Sequence, residues 1–129
     1  MKLALAAILA ISATMAEAAP LTVRMGESWV FAVKDGEPHE PRKVKSDAAP
    51  GKGQIKITVK ALLGTSLMAV NNSPVAYTFK AELIRKGKAL SARTCTLPAN
   101  AKPVFEQWDG VAEAVRIGRF VAAGTEGRC

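Results

Sequence analysis

Gln54–Lys60 reads QIKITVK, and its alternation decides the fold class. Ile55, Ile57 and Val59 fall on one side, and Lys56, Thr58 and Lys60 on the other. A period of two residues is that of a strand with one face in a core and one toward water; a helix would repeat every three to four. The β-branched residues at the inward positions suit the pleated backbone.

The same period recurs outward from this strand. Residues 75–85 place Val75, Tyr77, Phe79, Ala81 and Leu83 on one face, with Thr78, Lys80 and Glu82 opposite. Ser28–Lys34 sets Trp29, Phe31 and Val33 in phase. Residues 90–97 and 114–121 carry weaker versions. The stretches 61–70 and 111–117 hold fair helix formers, but Gly64 disfavours a helix in the first, and both read as mostly extended. Turn signals fall between these runs: Asn71-Asn72-Ser73-Pro74, the Lys86-Gly87-Lys88 hairpin tip, a loop over 98–103, and glycines at 110, 124 and 127. About seven short strands with regular turns predict an all-β domain, a sandwich or else a small barrel.

One segment breaks the pattern. Residues 35–53 (DGEPHEPRKVKSDAAPGKG) hold three prolines and three glycines, and Val44 is the sole large aliphatic side chain. So little apolar surface predicts an exposed, mobile loop.

The start of the chain sets its destination. Lys2 precedes an uncharged apolar run over 3–13, and Ala16-Glu17-Ala18 then offers small residues around a central one. That order matches a secretory signal peptide cut after Ala18, with Ala16 the next choice. Spanning a bilayer takes ~20 apolar residues, so the run is too short for an anchor, and no later stretch is apolar enough. The expected product is one domain, 19–129, in the periplasm or outside the cell. Export into an oxidising compartment predicts that the two cysteines, Cys95 and Cys129, are bonded. Closing a loop of that length stabilises by about 4 kcal/mol on the chain-entropy model.

Two stretches carry a resemblance. Val70-Asn71-Asn72-Ser73 followed by Tyr77-Thr78-Phe79 resembles adjoining strands of immunoglobulin-like sandwiches in exported bacterial proteins. The run from Cys95-Thr96-Leu97-Pro98 to Glu106-Gln107-Trp108 is similar to small exported proteobacterial proteins whose function is not established. Together they cover about the second half of the chain. They imply a single immunoglobulin-like β-sandwich and bring no catalytic residue. The paired mid-strand cysteines of antibody domains are missing, since Cys129 is terminal.

The residues offer little for catalysis. His39 is the one histidine, set between Pro38 and Glu40 in the proline-rich segment, a poor place for a preorganised base. No Gly-x-Ser-x-Gly or phosphate loop occurs, so neither an enzyme nor a bound cofactor is expected. Copper would need Met25, Met68 and His39 together. A carbohydrate subsite would need Trp108 exposed beside Glu106 and Asp109. A hydrolase inhibitor would present the segment 35–53. The net charge of +7 favours anionic partners. Nucleic acid is not expected in that compartment, and aromatics, at 5%, are too few for a stacking platform. The leading expectation is a non-enzymatic envelope or periplasmic interaction module for a protein or anionic envelope component. Its basic surfaces would be Lys80, Arg85, Lys86, Lys88 and Arg93 on one hairpin, and Arg42, Lys43 and Lys45 in the segment 35–53.

Overall fold

The computed structural model describes residues 19–124 and 129, so the expected signal peptide and its cleavage site lie outside the described residues. Among the described residues the chain forms nine strands and no helix: β1 (Leu21–Arg24), β2 (Ser28–Lys34), β3 (Glu37–Val44), β4 (Gln54–Lys60), β5 (Thr65–Asn72), β6 (Tyr77–Arg85), β7 (Lys88–Ala92), β8 (Val104–Trp108) and β9 (Ala114–Ala122). They make two antiparallel sheets, β1-β9-β6-β7 and β3-β2-β4-β5-β8. The sheets face each other and do not close into a barrel, so the fold is a β-sandwich.

The alternation read from the sequence fills its centre. Ile55, Ile57 and Val59 of β4 and Leu67 and Ala69 of β5 meet Phe79, Ala81 and Leu83 of β6 and Val115, Ile117 and Phe120 of β9. Each large side chain so buried contributes about 1.5–3 kcal/mol. Phe120 is the aromatic hub: Phe79 stacks on it at 5.4 Å, Tyr77 meets it edge-on at 5.9 Å and Phe31 leans on it at 5.5 Å. Cys95 and Cys129 are disulfide-bonded, as the oxidising-compartment argument predicts.

The expectation that 35–53 is a loop throughout is corrected in part. Glu37–Val44 is strand β3, at one edge of the five-stranded sheet. Asp35 (φ 53°) and Gly36 (φ 78°) are the two residues between Lys34 and Glu37, which pair. Positive φ at both marks a type I′ hairpin, whose twist matches that of the strands. Pro38 and Pro41 are tolerated because β3 is an edge strand with a bulge, where the register shifts between Val30 and Ala32. The remainder, 45–53, straps the outer face of the sheet. Lys56 Nζ donates to the Ser46 carbonyl at 2.6 Å and Asn72 Nδ2 to the Pro50 carbonyl at 3.0 Å. Lys56 is buried beneath this strap, and Thr58, hydrogen-bonded to Ser28 of β2 at 2.8 Å, is buried as well, so both faces of β4 are covered instead of one.

Candidate functional site

At one end of the sandwich four connections converge: 25–27, 61–64, the hairpin tip at 86–87, and 109–113. The linker 61–64 joins β4 to β5. Its Gly64, at φ 104°, lies so close to the Trp108 carbonyl that a Cβ there would collide with it and would stand only 3.2 Å from Gly110 N. Gln107 Nε2 donates to the carbonyls of Leu62 and Leu63 at 3.3 and 3.0 Å. Thr65, fully buried, donates its hydroxyl to the Gly110 carbonyl at 2.8 Å and accepts from Ala112 N at 2.9 Å. The backbone on both sides of Val111 is therefore fixed to the start of β5.

The hairpin tip is tied to the same loops. Lys86 (φ 49°) and Gly87 (φ 73°) form another type I′ turn between the paired Arg85 and Lys88. Arg85 donates to the Asp109 carbonyl, and Lys86 N donates to Glu113 Oε1 at 2.7 Å. Glu113 also holds the first connection, its carbonyl accepting from Met25 N at 3.1 Å. There Glu27 accepts from Arg24 N at 2.9 Å, from Trp29 Nε1 at 3.2 Å and from Lys43 Nζ at 3.1 Å. The Arg24 amide, foremost, and then the Trp29 indole and Lys43 hold the Glu27 carboxyl below the ordinary glutamate range against the opposing pull of its partial burial.

What these anchors present is apolar. Leu62 is 61% exposed, Leu63 83% and Val111 62%. Leu63 also stands at φ 50°, a region that leucine rarely occupies. Around them are the exposed cations Lys60, Lys86 and Lys88 and the half-buried Arg85, against the carboxylates of Asp109 and Glu113.

The basic residues expected on the hairpin and in the segment 35–53 lie at several places. Arg85, Lys86 and Lys88 belong to the loop end. Lys80 lies on the outer face of the four-stranded sheet, in register with Gly118. Arg93 lies at the far end of β7, its carbonyl accepting from Trp108 Nε1 at 2.9 Å. Arg42 and Lys43 sit on β3 and Lys45 just beyond it, at the lateral edge opposite β7. A shallow groove of about 540 Å3 runs over the outer face of β6 and β9, lined by Lys80, Glu82, Arg116 and Arg119 among others. Arg116 there is paired with Glu82 at 3.0 Å.

The other expected sites are not assembled. Trp108 packs against the core, and Glu106 is buried, with Oε1 accepting from Cys95 N at 2.6 Å; of the three residues of the expected sugar subsite, Asp109 alone is exposed. Met25 packs against the core, while Met68 alternates with the inward Leu67 and Ala69 and so lies on the outer face of β5; His39 is on β3. No group of three or more His, Cys, Asp or Glu able to hold a metal occurs among the described residues. The segment that would present an inhibitory loop is the edge strand and strap described above. No helix of the described residues is long and apolar enough to cross a membrane. The apolar end itself escaped sequence reading, because Leu62 and Leu63 look like core residues until the strand is seen to begin at Thr65. Compared with known protein families, curated proteins and solved structures, the chain matches none of them.

Proposed function

We propose that this protein is a non-enzymatic binding module, exported to the envelope, that meets its partner through the loop end at 61–64, 86–88 and 109–113. One observation carries the reading: leucines and a valine are held outward by side-chain hydrogen bonds to their own or flanking backbone, beside a group of cations. An exposed apolar cluster rimmed by polar groups marks an interaction surface, and a backbone fixed beforehand loses less entropy on binding. The surrounding cations favour a partner of negative charge, which fits an anionic envelope component or an acidic protein face.

The test is crosslinking in the host envelope with a photoreactive group at position 86. An adduct that disappears in Leu62→Ser/Leu63→Ser, with the thermal melt unchanged, is expected. An adduct of equal yield in that variant would remove the loop end as the recognition surface.

A further inference from the structure

We infer that the partner of the loop end is a bilayer surface rich in anionic phospholipid, into which Leu62, Leu63 and Val111 dip while Lys60, Arg85, Lys86 and Lys88 lie among the headgroups. The inference rests on the loop-end reading above. The apolar residues stand on adjoining loops at a tip, and two grooves of the molecule lie away from it, on the outer face of β6 and β9 and around Pro74 and Lys102. A tip suits insertion into a deformable medium, whereas a protein hot spot more often fills or offers a pocket.

The exposures point the same way. Leu63, 83% exposed at φ 50°, has its carbonyl satisfied by Gln107 from within. A backbone carbonyl carried below the headgroups toward the hydrocarbon needs such a donor from the protein, because water is absent there. The charge pattern is complementary as well. Lysines beside an apolar tip can lay their stems along it and keep their ammonium groups at phosphate level. Of the two acids nearby, Glu113 accepts from Lys86 N, while Asp109, whose backbone carbonyl accepts from Arg85, keeps its carboxylate exposed. Around the apolar tip Lys60, Arg85, Lys86 and Lys88 outnumber Asp109 and Glu113, and Glu27 on the neighbouring connection is paired with Lys43.

The experiment uses the disulfide-bonded protein purified from its own host, sedimented with vesicles of phosphatidylglycerol and phosphatidylethanolamine or of phosphatidylcholine alone. Binding to the anionic vesicles, weakened by salt, is expected. Leu62→Ser/Leu63→Ser should lower the partition coefficient about tenfold or more per leucine. Lys86→Glu/Lys88→Glu should lower it about fivefold or more per site. Thermal melts of both variants should coincide with that of the parent, which separates lost binding from lost folding. Absence of binding to anionic vesicles, or equal binding of parent and leucine variant, overturns the lipid assignment. If the parent then still forms a leucine-dependent crosslink to a protein in the envelope, the loop end stands as a recognition surface and only its partner changes. If that crosslink is leucine-independent too, both readings fall.

Discussion

Asn71 shows how much a single polar side chain decides in this molecule. It is fully buried, and both ends of its amide are used: Nδ2 donates to the Val75 carbonyl at 2.6 Å and Oδ1 accepts from the Ser73 hydroxyl at 2.7 Å. Its backbone carbonyl accepts from Ala101 N at 2.6 Å. The corner between β5 and β6 is therefore built around it. Asn71→Ala should destabilise by about 2 kcal/mol or more, because partners are left unsatisfied in a dry site; a denaturant titration checks this, and an unchanged midpoint would contradict it. Glu27 gives a pH signature. Its carboxyl titrates below the unfolded value, so its contribution is present above about pH 4 and fades as pH falls through the lowered folded value. Glu27→Gln should cost stability at neutral pH, and the gap to the parent should close under more acidic conditions. A gap that widens on acidification would contradict the assignment.

At the scale of elements, alternation alone was enough to find β2, β4 and β6. Their inward residues are apolar at every second position, and Lys86-Gly87 marks its own hairpin. β3 was not legible for a physical reason. Its prolines and charges are what an unpaired edge uses to discourage further strands, and the same residues look like a loop when read locally. β5 begins four residues later than its apolar run suggests, because Gly64 must approach the Trp108 carbonyl. That displacement turns Leu62 and Leu63 outward and makes the candidate site. Gly64→Ala should therefore destabilise by about 2 kcal/mol or more through both collision and φ strain, measured as a lowered melting temperature. A variant that melts with the parent would mean the linker can be rebuilt without cost. The strap over β4 is tested by Lys56→Ala. Amide exchange should quicken at Ala48, whose N–H donates to the Lys45 carbonyl, and leave Ile57 slow; unchanged exchange at Ala48 would mean the Lys56 bond to Ser46 does not hold the strap.

For the molecule as a whole, the two lateral edges are sewn by different means. On the β1 and β3 side, Glu37 Oε1 accepts from Arg119 N at 3.0 Å, and the Gly36 carbonyl accepts from Phe120 N at 2.7 Å. On the β7 and β8 side, Glu106 and Trp108 reach the backbone at Cys95 and Arg93, and the disulfide then holds Cys129 to that seam. Cys129→Ser should lower stability by about 4 kcal/mol on the chain-entropy model and leave the far-ultraviolet spectrum of a β protein intact; an unchanged melting temperature would contradict a stabilising bond. Large apolar side chains are also exposed at Val75, Leu90, Phe105 and Val121; the loop end differs in carrying three, Leu62, Leu63 and Val111, on connections tied to one another. The most direct measurement of its role is hydroxyl-radical footprinting of the protein free and on membranes of its host. Protection at Leu62, Leu63 and Val111 with Lys80 and Arg116 unchanged is the expected result. Protection confined to the groove around Lys80 and Arg116, or to β3, would contradict it.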